Sequence, residues 1–318
     1  MRIINLQEIK HILRTLDVQA AIEEGFAAYS SGKTVVPPVG ELLFEDPPGD
    51  VHIKYGYLKG DDYYVIKVAS GFYRNSERNL PSGNGLMLLF CQKTGTLLSI
   101  LLDEGYLTDV RTAIAGAIAA KYLAPPRIDR IGIMGTGVQA RLQLHYLLPV
   151  TGCRQVLAWG RSPEKLDRYR DDMEQEGFDI DTTLDADEIG SSCNLIVTAT
   201  ASTHPLLWAR QIRVGTHITA VGADSAHKQE LDPAILQRAD VVVADSISQC
   251  RERGEIAHAL RAGLVDAERL RELGQVIGKS ALGRSSDHQI TVADLTGVAV
   301  QDIQIAKAVF EAGGDSEH

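Results

Sequence analysis

Ile131-Gly132-Ile133-Met134-Gly135-Thr136-Gly137-Val138-Gln139-Ala140 decides the fold. A Gly-x-Gly-x-x-Ala string alone is weak evidence. Here it follows a short apolar strand, Arg130–Met134, opens a helical pattern over Val138–Leu148, and leads to a second strand at Gln155–Trp159. Strand, turn, helix and strand in that order form a Rossmann fingerprint. Gly135 permits the tight turn, Gly137 lets the backbone approach a pyrophosphate, and Ala140 keeps the helix close to its strand. The helix N-terminus then offers unpaired N–H groups to phosphate oxygens.

Outward from the fingerprint, further strand-like runs at Leu195–Thr198, His217–Val221 and Val241–Ala244 alternate with helical stretches, the pattern of βαβ units and a parallel sheet. Upstream the period changes. Asn5 and Asp17 are good caps for helices over Leu6–Arg14 and Val18–Ser31, with Gly32 as the stop. Val51–Tyr57, Tyr63–Val68, Gly85–Cys91 and Thr96–Leu102 follow as close-spaced strands with short turns, which predicts an antiparallel sheet. An alanine-rich helix over Asp109–Leu123 stops at Pro125-Pro126, and a last helix over Val298–Ala312 could fold back on the first domain. The expected fold class is α/β. A Rossmann-type, doubly wound parallel sheet occupies residues 123–297. The remaining residues, 1–122 with 298–318, are expected to form a second, α+β domain.

The composition bounds the function. The chain has 318 residues and a formal net charge of −10, so it is a poor partner for a phosphate backbone and nucleic acid is not expected. With 44% hydrophobic and 23% charged residues it is an ordinary globular chain. Its longest apolar runs are strand-sized, well short of the ~20 residues that span a bilayer. The N-terminal residues lack the apolar core of a signal peptide, so a cytoplasmic location is expected. Cys91, Cys153, Cys193 and Cys250 are far apart and form no Cys-x-x-Cys pair, so neither a disulfide framework nor a metal site is expected.

Four side chains outside the fingerprint are candidates for chemistry. Lys67 lies among apolar neighbours and shares a face with Val65 and Ala69; a solvent-facing lysine and a site lysine both fit that pattern. Lys54, in the preceding strand, could meet it across a hairpin. Arg111, with Thr112, opens the alanine-rich helix, where an anion or a neighbouring acid would suit it equally. Asp224 follows the strand His217–Val221, at the carboxyl end where open α/β sheets bind ligands; it reads as a proton-exchanging acid or as a turn residue. At the end of the second Rossmann strand, Trp159-Gly160-Arg161-Ser162 carries no acid for the ribose of NAD. Arg161 and Ser162 instead suit a 2′-phosphate, so NADP is the preferred cofactor, with NAD possible if Arg161 is a solvated turn residue. His258 reads as a helix residue, His52, His227 and His288 have no evident partner, and no Gly-x-Ser-x-Gly elbow is present.

These residues resemble the ornithine cyclodeaminase/μ-crystallin family along nearly the whole chain. The matching blocks are Val65–Val68, Leu107–Ala113, Gly135–Ala140, Val221–Asp224, Lys228–Asp232 and Asp294–Asp302. The stretch from Gly85 to Asp109 looks most like the cyclodeaminase-like proteins of ectoine breakdown. The resemblance implies a homodimer that acts on a small amino or imino acid, with the α+β domain of residues 1–122 and 298–318 as the substrate-binding and dimerisation domain. It implies that Lys67 contacts the substrate near the reacting nitrogen or carboxylate, that Arg111 clamps the carboxylate, and that Asp224 is the acid/base. Lys54 matches a position where alanine dehydrogenases of the family carry a substrate-binding arginine. Thr296, Gly297 and Val298 would approach the nicotinamide. The remaining expected cofactor positions are Thr112, Gly135, Thr136, Gly137, Val138, Gln139, Arg161, Ser162, Thr198, Ala199, Thr200, Val221 and Gly222.

There are departures. Gly40 stands where many members have arginine. The second-strand end is closer to the NADPH-binding crystallins than to the bacterial ornithine enzyme, and μ-crystallins lack the aspartate kept here at Asp224. The expected activity is NAD(P)H-dependent reduction of a small α-imino acid of the Δ1-pyrroline-2-carboxylate type. The alternatives are an ornithine- or lysine-type cyclodeaminase using bound NAD, and a crystallin-like binding protein without chemistry.

Overall fold

The structure is a computed structural model and describes residues 1–314. The chain divides into two compact units, one of Met1–Arg111 with the segment from Val298 onward, the other Thr112–Gly297.

The first unit is built on a seven-stranded sheet. Its strands are β1 (Arg2–Asn5), β2 (Thr34–Val35), β3 (Gly40–Glu45), β4 (Pro48–Leu58), β5 (Tyr63–Gly71), β6 (Gly83–Cys91) and β7 (Leu97–Leu102), and the main order is β1-β7-β6-β5-β4-β2 with β3 on β4. The antiparallel core from β4 to β7 is the one expected from the close-spaced runs. β1 was not anticipated. It pairs parallel with β7, and four residues ending at a helix cap leave no alternation to read. Helix α1 (Leu6–Leu13) starts at its predicted cap, whereas α2 (Gln19–Ser30) starts one residue later than expected, with Val18 and not Asp17 at the N-cap position. Asn5 and Glu8 form a reciprocal capping box, and the Asp17 carboxylate accepts the Gln19 N–H at 2.9 Å. The C-terminal helix, Ala299–Gly314, packs on α2 and on β4, β5 and β6. Alternation puts Val65, Lys67, Met87, Leu89 and Lys54 on the buried face of the sheet.

Helix α3 (Tyr106–Leu123) begins earlier than the alanine-rich run suggests. Asp103 accepts the Leu107 N–H at 2.8 Å and so caps it before the first alanine. Arg111 therefore lies in the second turn, not at the helix mouth, and its backbone N–H is not available to an anion. That corrects the expectation of a helix-terminal anion site at Arg111 and Thr112.

The second unit carries an all-parallel sheet of eight strands. These are β8 (Ile131–Met134), β9 (Gln155–Trp159), β10 (Asp179–Thr183), β11 (Leu195–Thr198), β13 (His217–Ala220), β15 (Val241–Ala244), β16 (Leu270–Glu272) and β17 (Thr291–Asp294), in the order β10-β9-β8-β11-β13-β17-β15-β16. A separate parallel pair joins β12 (Thr203–Leu207) to β14 (Gln229–Leu231). Helix α4 (Val138–Tyr146) follows β8 and helix α5 (Pro163–Glu174) follows β9. Most strands are buried on both faces, as a doubly wound sheet requires. β17 escaped the sequence reading because four fully buried residues show no period, yet it lies between β13 and β15 and ends in Asp294. Among the described residues no helix is long and apolar enough to cross a membrane.

Candidate active site

In the second unit the chain adds β9 and β10 on one side of β8, then returns to add β11 on the other. Such a reversal opens a crevice at the carboxyl ends of the two central strands. A cleft of ≈ 410 Å³ lies there, and its walls include Gly135, Thr136, Gly137, Arg161, Ser162, Ala199 and Thr200. Gly135 has φ +117°, and a Cβ on it would fall 2.7 Å from the Ala199 carbonyl oxygen. Only glycine fits both demands. Gly137 is the N-cap of α4, accepts no side-chain capping bond, and has nothing within 4 Å of where a Cβ would be. The first-turn N–H groups of α4 are thus presented beside open backbone, as a pyrophosphate needs. Arg161 is exposed and makes no hydrogen bond or ion pair among the described residues. Ser162 is more committed than its sequence suggests. It caps α5 by accepting the Lys165 N–H at 3.3 Å and donates to Glu164 at 2.7 Å. Arg161, with Lys165, supplies the cationic side of this end of the cleft.

The other expected cofactor positions sort by place. Thr198, Thr200 and Gly222 meet the buried Glu230 carboxylate. The Thr296 hydroxyl and the Gly297 N–H donate to Asp245 at 3.1 and 2.6 Å, and Gln249 donates to Thr296 Oγ1 and to the Gly297 carbonyl. Thr112, Val138, Gln139 and Val221 are not among the residues lining the cleft. The Thr112 carbonyl accepts from Gln143, whose amide also donates to Gln139, and Val138 is exposed. Val298 is buried just before the C-terminal helix. Asp224 follows β13 and accepts from the Lys228 ammonium at 2.7 Å, an i,i+4 pair with the carboxylate half-exposed. His258 lies in the helix Gly254–Arg261, its Nε2 2.9 Å from the Lys228 carbonyl.

In the first unit, Lys54 and Lys67 are direct cross-strand partners on β4 and β5. Both are buried, at 8% and 2% exposure, which removes the solvent-facing reading of Lys67. Arg111, buried at 4%, joins the same cluster. The charge that holds the cations comes from Asp302 of the C-terminal helix. Its Oδ1 accepts from Arg111 Nε at 2.9 Å, and its Oδ2 is 3.3 Å from the Lys67 ammonium. Gln301 adds a contact of 2.5 Å from Arg111 Nη1. Burial depresses Lys67 to about 7; the Asp302 charge opposes that fall, while Arg111 and Lys54 reinforce it. Burial alone would raise the Asp302 carboxyl, but the charges of Arg111, Lys67 and Lys54 outweigh it and hold Asp302 below the usual carboxylate range. Desolvation keeps Asp103, which also senses Lys67, above its ordinary value. The cluster therefore offers fixed positive charge for a small anion and an amine that gains or loses a proton near neutrality.

Asp302, Gln301 and Glu230 lie within the matching blocks, but nothing in their local sequence marks them for a role. Arg111 and Asp302 are 191 residues apart, and no local pattern announces such a pair. The usable signal was the buried face of the final helix, where an aspartate needs a cation.

The sequence pattern of the ornithine cyclodeaminase/mu-crystallin family matches residues 2–317. The chain belongs to this family. An uncharacterized cyclodeaminase of Sinorhizobium fredii is 41% identical over 98% of this chain and 95% of its own length. The alanine dehydrogenase of Archaeoglobus fulgidus is 36% identical over 97% and 94%. The iminosuccinate reductase of Paracoccus denitrificans is 33% identical over 98% and 96%. Among solved structures, an archaeal alanine dehydrogenase dimer with bound NAD superposes with a TM-score of 0.90 at 34% identity, covering 99% of this chain and 97% of the other. The Δ1-pyrroline-2-carboxylate reductase of Thermococcus litoralis, in complex with NADH and L-proline, gives 0.92 at 27% identity over 99% and 98%. Each of these matches covers residues of both units.

Proposed function

We propose that this protein is an NAD(P)H-dependent reductase of small α-imino acids, of the Δ1-pyrroline-2-carboxylate type. The observation that carries the reading is the buried trio of Lys67, Arg111 and Asp302, with Lys54 beside it. Arg111 and Lys54, with Lys67 when protonated, make this buried cluster a place for a substrate carboxylate. The names of the relatives, an alanine dehydrogenase, an iminosuccinate reductase and a pyrroline-carboxylate reductase, support the same class of C–N chemistry.

Each unit has its own work. In the second, Gly135 and Gly137 leave backbone room for a pyrophosphate, the α4 N-terminus donates N–H groups to it, and Arg161 suits a 2′-phosphate, so NADP is the preferred cofactor and NAD the alternative. When bound, the dinucleotide supplies hydride to the imine carbon. In the first, Arg111 and Lys54 hold the substrate carboxylate. Lys67, as ammonium, donates a proton to the imine nitrogen, and Asp302 keeps that ammonium populated near neutral pH. Asp224, set by Lys228, is the second acid/base group. Fixing a flat imino acid by its carboxylate supplies orientation, which is a large share of the barrier lowering.

We also propose a homodimer. One sheet face of the first unit, with Ile53, Tyr55, Tyr64, Ile66, Leu88 and Ile100, is apolar and only partly buried in the single chain. Its burial against a second copy would remove that surface from water. The four cysteines are unpaired, which supports the cytoplasm as the location.

A cyclodeaminase is the second reading, favoured by the name of the relative at 41% identity. NADPH oxidation driven by Δ1-pyrroline-2-carboxylate, compared with ammonia release from ornithine at constant dinucleotide, separates the two. Ammonia release without net NADPH consumption overturns the reductase; neither activity, with dinucleotide bound, points to a binding protein.

A further inference from the structure

Behind the dinucleotide cleft lies a buried carboxylate that the proposed chemistry does not use. Glu230, on β14, has no solvent exposure, although it is an ionisable group on a short strand. Its two oxygens meet four donors. Oε1 accepts the Thr200 N–H and the Thr200 hydroxyl, each at 2.7 Å. Oε2 accepts the Thr198 hydroxyl at 2.7 Å and the Gly222 N–H at 3.0 Å. Each oxygen thus takes one backbone N–H and one threonine hydroxyl, the full capacity of a carboxylate. Burial pushes the Glu230 carboxyl up, and the four donors pull against it.

The donors come from the ends of two adjacent strands. Thr198 ends β11 and Thr200 follows it; Gly222 follows β13 and precedes Asp224. A Cβ on Gly222 would fall 2.2 Å from the Thr200 carbonyl oxygen and 2.6 Å from the Glu230 carboxylate, so the two loops touch with no room for a side chain. Glu230 is itself held from behind, because the Glu255 carboxylate accepts the Glu230 and Leu231 N–H groups at 2.7 and 3.1 Å. The segment it grips bears on the fingerprint. The Ala199 N–H donates to the Met134 carbonyl at 2.9 Å, and the Ala199 carbonyl packs against Gly135.

We infer that Glu230 is a positioning residue of the dinucleotide site, clamping the ends of β11 and β13 so that the wall facing Gly135 and the loop leading to Asp224 keep a fixed geometry. It touches no cofactor in this scheme and acts through Thr200, Ala199 and Gly222. The inference rests on reading the cleft as a dinucleotide site.

The test measures dinucleotide affinity apart from turnover, by calorimetric titration of the full chain with NADPH and with NADH. Glu230→Gln keeps the shape but turns an NH₂ toward two donors. Thr198→Val removes one donor from a residue outside the cleft lining. We expect Kd for the dinucleotide to rise about tenfold or more in Glu230→Gln and by a smaller factor in Thr198→Val. The double variant should be no worse than Glu230→Gln, and the imino-acid KM at saturating dinucleotide should stay within about twofold of wild type. A role in stability alone would lower the unfolding temperature of both variants and leave Kd unchanged, and that result overturns the inference. If Glu230→Gln does not fold, Thr198→Val decides by the same criterion. Wild-type protein that binds neither dinucleotide overturns the reading of the cleft and this inference with it; wild-type binding matched by the variants overturns the inference alone.

Discussion

Replacing Asp302 by asparagine removes the carboxylate that Lys67 and Arg111 share while keeping its volume. The Lys67 ammonium lies 3.3 Å from Oδ2, so at an effective dielectric of about 20 the lost attraction is about 5 kcal/mol. At about 1.4 kcal/mol per unit that would move the Lys67 pKa by three to four units, an upper bound. Side-chain relaxation and water entry cut it, and a fall of about one to two units is the working expectation. Lys67 starts at about 7. In the proposed reduction its charged form is the proton donor, so wild-type activity should fall as pH rises through that value. In the variant the same limb moves to lower pH. At pH 7.5 the protonated fraction, and with it kcat/KM, should drop by about eight- to eightyfold, while near pH 5 the loss from this cause should be no more than about twofold. Loss of the Arg111 contact acts on imino-acid binding alike at every pH, so the pH dependence isolates Lys67. Unfolding in urea should show a destabilisation of about 3–5 kcal/mol, since two buried cations lose their counter-charge. The assay is steady-state NADPH oxidation from pH 5 to 9 at saturating dinucleotide. A variant whose alkaline limb stays at the wild-type position would refute the coupling of Asp302 to Lys67.

Other outcomes follow from single contacts. Gly135→Ala should lower the unfolding temperature of the ligand-free protein, because its Cβ meets the Ala199 carbonyl at 2.7 Å in a backbone with φ +117°. Gly137→Ala, with open space around it, should leave the unfolding temperature within about a degree of wild type and weaken dinucleotide binding about tenfold, as calorimetry would record. Arg161→Ala should raise the Kd for NADPH about tenfold and that for NADH less than twofold; equal effects on both would return Arg161 to the role of a solvated turn residue. Ile66→Asp, on the apolar sheet face, should convert the proposed dimer to monomer in light scattering; an unchanged dimer mass would place the interface elsewhere.

Much of the architecture was legible because its signals are local. The fingerprint around Gly135 and Gly137 brings its own strand and helix, and the carboxyl-end position of Asp224 follows from the run before it. The pairing of Lys54 with Lys67 was accessible too, since a short turn between two strands fixes an antiparallel register. What the chain concealed is non-local or aperiodic. Asp302 reaches Arg111 across 191 residues, and Glu230 reaches Thr198 across 32. β17 has four residues buried on both faces and so no alternation to detect. The start of α3 is hidden in the sequence because Asp103, which accepts the Leu107 N–H, precedes the alanine run. The hydroxyl of Ser162 was read as available because a capping bond cannot be assigned before the helix start is known.

The most direct test of the whole account is to follow the hydride. NADPH carrying deuterium at both C4 positions, incubated with the enzyme and Δ1-pyrroline-2-carboxylate, should give proline with one deuterium at the α-carbon and an equal amount of oxidised dinucleotide by mass spectrometry. Unlabelled product would contradict it, and so would a parallel incubation with ornithine and oxidised dinucleotide that releases ammonia and forms proline with no net build-up of reduced dinucleotide.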